Sequence, residues 1–205
     1  MDSVDLGSPL TDVIPGARGQ LLATLVQLEA PVTVRALARH AEVAPQTALS
    51  LVNELAATGL VAAQRAGQAQ LVWLNRSHLL AEPLAALCRS RTRLIEALRT
   101  ELSAWPGLAA GWLFGPVARG DADRGSVIDL LLVASTSTES PTWAAATGRL
   151  VTEMQSRTGN QVKLVQHSRG SFALAIRGGN QLISAIRADG IPLTQGSQSL
   201  LRMSG

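Results

Sequence analysis

The chain has 205 residues, 46% apolar and 16% charged, with 18 basic side chains against 15 acidic ones and a net charge of +3. That length allows one large domain or two small ones, and the apolar share is enough to bury real cores rather than leave the chain disordered. No apolar run approaches the roughly 18 residues of a membrane span, and Met1 is followed by Asp2 and Asp5 with no basic or apolar leader, so the expected location is cytoplasmic. Cys88 is the only cysteine, which excludes an internal disulfide framework and a Cys-rich zinc site. His40, His78 and His167 are scattered, so no metal or other cofactor is expected. Of the 18 basic residues 17 are Arg and the last is Lys163, a mild excess that permits a nucleic-acid partner without demanding one.

Residues 1–15 mix Asp, Ser, Pro and Gly and read as a flexible lead. An amphipathic helix is expected over Arg18–Glu29, ending before Pro31. Thr33 can cap a short helix over Val34–His40. Pro45 suits the first position of a third helix, Pro45–Thr58, closed by Gly59. Two strands, Leu60–Arg65 and Ala69–Asn75, are expected around a turn at Gly67-Gln68. Residues 79–106 form a long amphipathic connector helix, its apolar positions at three- and four-residue steps, decorated by Arg89, Arg91, Arg93 and Arg99. Two readings of it stand level: one apolar face packed on its own domain, or a face that also pairs with a second protomer.

From Leu108 the texture becomes α/β. A strand is expected over Ala109–Phe114, a Gly- and Asp-rich turn over Gly115–Gly125, and a buried strand over Ile128–Ala134. A helix over Pro141–Thr158, a strand over Gln161–Gln166 and two short helices follow, with a loose tail at 197–205.

The stretch VTVRALARHAEVAPQTALSLVNELAATGLV has a helix, a tight turn at Ala41–Ala44 and a second helix. With the hairpin behind it, it resembles the winged helix-turn-helix of bacterial MarR- and ArsR-like regulators. On the second helix Ala48, Leu51, Val52 and Leu55 form a stripe that must face a core. The opposite face presents Gln46, Thr47, Ser50 and Asn53, amide and hydroxyl side chains able to bond base edges in a major groove. Arg35 and Arg39 are candidates for phosphate contacts, and Arg65 and Gln68 for the wing's contact with the backbone or minor groove. Residues 16–78 hold five Arg and three Glu, an excess of only two, which a dimer would double.

Trp112–Val133 reads WLFGPVARGDADRGSVIDLLLV. Phe114-Gly115, Ala118-Arg119-Gly120, Ser126 and Ile128-Asp129-Leu130-Leu131 match, in order and spacing, the minimal nucleotidyltransferases of the DNA-polymerase-β superfamily. The resemblance covers about residues 108–196. It implies two strand carboxylates holding two metal ions for phosphoryl transfer, a third acid on a later strand, and a Gly-Ser turn on the triphosphate. Here those positions hold Val127 and Asp129, Lys163, and Gly115-Pro116. One carboxylate cannot chelate two metals, and Lys163 is expected to pair with Asp129 and fill the site from within.

The fold expected is therefore α+β: a winged helix-turn-helix (16–78), a connector helix (79–106) and a nucleotidyltransferase-like α/β domain with a small mixed sheet (107–196). The function expected is a sequence-specific DNA-binding transcriptional regulator. It would bind double-stranded operator DNA as a homodimer. Its C-terminal domain would be catalytically dead, with no catalytic residues. A vestigial nucleotide site at Gly115, Pro116, Arg119, Val127, Asp129 and Lys163 would be kept for a nucleotide ligand, dimerisation or a partner protein. The alternative is an active, metal-dependent, antitoxin-like nucleotidyltransferase targeted by its winged helix.

Overall fold

The computed structural model describes residues 3–202 of the chain. It is a mixed α+β structure with two small sheets and two compact units, one spanning residues 8–90 and the other residues 3–7 with 91–202. Met1 and Asp2 of the expected lead, and residues 203–205 of the expected tail, lie outside the described residues.

The first unit contains α1 (Pro9–Val13), α2 (Ala17–Gln27), β1 (Val32–Thr33), α3 (Val34–His40), α4 (Pro45–Ala57), β2 (Val61–Ala66), β3 (Ala69–Leu74) and α5 (Ala81–Cys88). Thr33 Oγ1 accepts from the Ala36 amide at 3.1 Å and so starts α3, meeting one of the four orphan donors at a helix N-terminus. Pro45 opens α4, whose Ala48, Val52 and Leu55 are buried with Leu21, Leu25, Leu37 and Val72. Gly67, at φ 63°, turns the chain from β2 into β3, and the strands run in the order β1-β3-β2.

The stretch read as a flexible lead is ordered where it is described. Leu6 is buried in the core of the second unit, and Pro9 and Leu10 of α1 are buried in the first. Pro9, which looked like linker chemistry, stands instead in the first turn of a helix, where its fixed φ fits.

The long connector is two helices. α5 stops at Cys88, and α6 (Ser90–Ser103) begins after a one-residue break at Arg89. Ser90 Oγ donates to the Leu87 carbonyl at 2.7 Å, a local bond that competes with the helix ladder.

The second unit continues with β4 (Leu108–Phe114), α7 (Gly115–Arg119), β5 (Ile128–Ala134), α8 (Pro141–Thr158), β6 (Val162–Ser168), α9 (Arg169–Arg177), α10 (Gln181–Asp189), β7 (Ile191–Pro192) and α11 (Gly196–Arg202). The strand order is β6-β5-β4-β7, with β5 antiparallel to β4 and parallel to β6 through the α8 crossover. β5 is apolar on both faces because both faces are covered. Leu130 and Leu132 join Leu98, Trp143 and Met154 on one side, while Leu131 and Val133 join Trp112, Phe172 and Ile183 on the other. The Trp112 and Phe172 rings stack at 5.4 Å.

Two further expectations change here. The Gly- and Asp-rich turn after β4 opens with a helical turn, α7, closed by Gly120 at φ 84°. The tail is tied down through Arg202 as α11: buried Ser197 donates through Oγ to the Gly111 carbonyl at 2.7 Å and accepts from the Gly111 amide at 3.2 Å. A Cβ on Gly196 would meet the Ala109 carbonyl oxygen at 2.2 Å, so α11 starts against the backbone of β4. Among the described residues, no helix is long and apolar enough to cross a membrane.

Candidate functional site

The polar residues chosen from the sequence in the first unit all lie on its surface. Gln46, Thr47, Ser50 and Asn53 are exposed along α4, Arg35 and Arg39 along α3, and Arg65 and Gln68 at the hairpin. Among the described residues Gln46, Thr47 and Asn53 make no side-chain hydrogen bond. Ser50 Oγ reaches Glu54 Oε1 at 3.4 Å, and the other Glu54 oxygen accepts from Arg18 Nη2. The cations expected to approach phosphates, Arg35 and Arg39, stand exposed on α3 rather than on α4. One turn beyond Ser50, Glu54 is paired with Arg18, so the two add no net charge to this face.

A different arrangement forms at one end of the second unit's sheet. Asp129 is the second residue of β5 and lies between two neighbours, Phe114 on β4 and Lys163 on β6. Gly115 follows Phe114 at φ 73°, a conformation that L side chains rarely adopt. A Cβ at Gly115 would stand 2.5 Å from Asp129 Oδ2, so the chain leaves β4 directly over this carboxylate. Alternation along β5 puts Asp129 on the same face as Leu131 and Val133. Lys163 shares that face with Val165, at the same end of the sheet.

Asp129 is half-buried, and among the described residues it makes no ion pair and no side-chain hydrogen bond. Burial raises its pKa above the usual carboxylate value, and the charges of Lys163 and then Arg119 oppose that rise. The expected Asp129–Lys163 pair that fills the site from within is therefore not formed. Lys163 is exposed and close enough to act on Asp129 electrostatically, yet no ion-pair contact joins them.

The remaining predicted residues take other parts. Arg119 is turned away into contacts with Asp121 Oδ2 at 3.0 Å and Asp189 Oδ2 at 3.2 Å, and these hydrogen bonds raise its pKa. Pro116 is in the first turn of α7, where a missing N–H costs nothing. Val127 is the last residue before β5 and supplies no ligand atom. Asp123 accepts from Ser126 Oγ at 2.8 Å and from the Gly125 amide at 3.0 Å, which hold its carboxyl below the usual range and make it a loop brace.

A two-ion metal centre does not fit these residues. The charges that act on Asp129 are those of the cations Lys163 and Arg119, and among the described residues no three His, Cys, Asp or Glu side chains gather as ligands.

Two residues that the sequence reading passed over hold the turn in place. Asp189 is 70 positions from Arg119 and anchors it. Arg91, read as surface decoration, is half-buried and donates through Nε to the Val117 carbonyl at 2.6 Å and through Nη2 to that of Ala118. No local signal marked either one, because each acts across the fold. The polar spacing within α10 and α6 is that of ordinary solvated helices.

No family model matches the sequence, and no curated protein does. Solved structures do match. An MntA-HpeT toxin–antitoxin mutant is 20% identical, with a TM-score of 0.36, over 56% of this chain and 80% of that one. A toxin–antitoxin with AMP-PNP is 22% identical, with a TM-score of 0.37, over 56% of this chain and 81% of that one. Human N-acetylserotonin methyltransferase in complex with SAM is 16% identical, with a TM-score of 0.29, over 45% of this chain and 30% of that one.

These findings correct the expected function. The toxin–antitoxin neighbours, one with AMP-PNP, overturn the DNA-binding transcriptional regulator and the catalytically dead domain assigned to it.

Proposed function

We propose that the second unit is a nucleotidyltransferase-type enzyme domain. It binds a nucleoside triphosphate at the corner formed by Gly115, Asp129 and Lys163, and it works beside a protein partner in an antitoxin-like system. The observation that carries this reading is the unpartnered carboxylate of Asp129 against Gly115, at a strand end where Lys163 offers a cation to phosphate. The text from Trp112 to Val133 supports it independently, since several separated positions agree with that family's pattern. The first unit is read as a winged-helix module whose exposed polar α4 face serves contact with protein.

The chemistry asked of the chain is modest. Lys163 neutralises phosphate charge as it builds during transfer. Gly115, having no Cβ, lets the chain pass directly over Asp129 at the end of β4. Asp129, its pKa raised by burial, accepts the proton of an attacking hydroxyl. The acceptor oxygen bonds to the α-phosphorus, the bond from that phosphorus to the bridging oxygen breaks, and pyrophosphate leaves. Any divalent ion arrives with the nucleotide as part of the substrate.

Isothermal titration with ATP and GTP, with and without Mg²⁺, followed by pyrophosphate release in the presence of hydroxyl-bearing acceptors, tests this reading. Binding by the intact chain, with release that Asp129→Asn abolishes, is the expected result. Absence of nucleotide binding in every condition overturns it.

A further inference from the structure

The five residues of α7 link the strand end to the loop that returns to β5. In so short a helix the last carbonyls have no intrahelical donor. The Gly120 and Asp121 amides both turn back to the Pro116 carbonyl, at 2.9 and 3.2 Å, which leaves those of Val117 and Ala118 in need of partners. Arg91 of α6 provides both, Nε to Val117 at 2.6 Å and Nη2 to Ala118. Its guanidinium lies beneath Gly120, where a Cβ would meet Cζ at 3.6 Å and Nε at 3.7 Å. Two adjacent carbonyls and a planar fork of donors are matched in geometry, and a lysine ammonium reproduces only one of the two bonds well. The other arginines of α6 do not do this: Arg93 is exposed, and Arg99 donates to the Pro192 carbonyl at 3.3 Å.

We propose that Arg91 is a positioning residue of the nucleotide site, fixing α7 and thereby the seat of Gly115 over Asp129. This rests on the reading of that corner as a nucleotide site. A Cβ at Gly115 would stand 2.5 Å from Asp129 Oδ2, so the turn into α7 passes close over that carboxylate and a shift of α7 alters the corner. Arg91 sets that position from outside, through atoms that never touch the ligand.

The experiment compares the intact wild-type chain with Arg91→Met, Arg91→Lys and, as a control on the same helix, Arg93→Met. ATP affinity is read by calorimetry and local opening by backbone amide exchange across residues 115–121. The expected result is an affinity loss of about tenfold for Arg91→Met, equivalent to about 1.4 kcal/mol. Exchange should quicken in that turn alone, Arg91→Lys should recover part of both losses, and Arg93→Met should match the wild type. Should Arg91→Met fail to fold, Arg91→Lys carries the test with a loss of about threefold and the same localised exchange. Wild-type affinity in Arg91→Met, exchange that quickens evenly through the whole unit, or a lysine variant no better than methionine overturns the assignment while leaving the nucleotide site standing. Failure of the wild type to bind ATP overturns both, and the exchange data then report Arg91 as a fold contact only.

Discussion

The α4 face and the strand-end corner are both polar, and they are built in opposite ways. Gln46, Thr47, Ser50 and Asn53 come from one helix, stand exposed, and would be displayed by any helix with that spacing. Gly115, Asp129 and Lys163 come from three separate segments, brought together by the β4–β5–β6 register, with Arg91 and Asp189 bracing the turn from still farther away. A helix with one apolar stripe must have a polar opposite face, so such a face says little about function. A half-buried carboxylate that is left unpaired at a point of backbone convergence runs against the usual rule that buried charges find partners. The difference teaches that convergence and incomplete satisfaction, rather than polarity, single out a site.

The largest expected effect is on chemistry. Asp129→Asn should lower the rate of nucleotidyl transfer by about a hundredfold or more, the usual share of a general base, in a pyrophosphate-release assay. The same loss from Ser50→Ala would erase the distinction between the two surfaces.

Next come two glycines, one in each unit. Gly115→Ala suffers left-handed strain and a Cβ 2.5 Å from Asp129 Oδ2, whereas Gly67→Ala suffers the strain alone, with nothing within 4 Å. Urea denaturation should show about 2–3 kcal/mol lost at position 115 and about 1 kcal/mol at position 67. Equal losses would mean that Gly115 does not press on the carboxylate.

Lys163→Ala should weaken ATP binding by about tenfold, the order of one charge-assisted contact, with the ratio to wild type narrowing as salt rises. An unchanged dissociation constant in calorimetry would remove Lys163 from the site.

The pH dependence follows from the sign of the Asp129 shift. A folded pKa raised by burial favours the protonated form. The stabilisation is therefore fully present below the unfolded value and is lost as pH rises through the raised folded value. Asp129→Asn should accordingly melt above the wild type at neutral pH, and the gap should close in acid. A variant that melts lower at neutral pH would mean that Asp129 is stabilised by a partner.

The smallest effect is expected at the exposed Arg18–Glu54 pair, where Glu54→Ala should change stability by no more than about 0.5 kcal/mol.

Much of the fold was legible in the order of residues. Thr33 and Pro45 mark helix starts, Gly67 marks a hairpin, and the unbroken apolar run Leu130–Val133 marks a strand covered on both faces, because capping, φ preference and burial are local properties. The segments that misled were those whose state depends on distant partners. Residues 4–10 look like a linker until Leu6 and Leu10 find cores, and the tail looks loose until Ser197 meets Gly111. The connector breaks at Arg89, beside the bond from Ser90 to Leu87, and its amphipathic pattern does not reveal the break.

The site divides along the same line. Sequence by itself determined which chemical groups the corner can offer: one carboxylate at Asp129, an amine at Lys163, and a glycine where a side chain would collide. Only the tertiary structure decided how they act. Asp129 and Lys163 are strand partners without an ion pair, Arg119 is drawn off by Asp189, and Arg91 is turned inward to hold α7. Pairing, burial and orientation depend on distances between segments far apart in the chain, and those distances are set by packing rather than by neighbours in sequence.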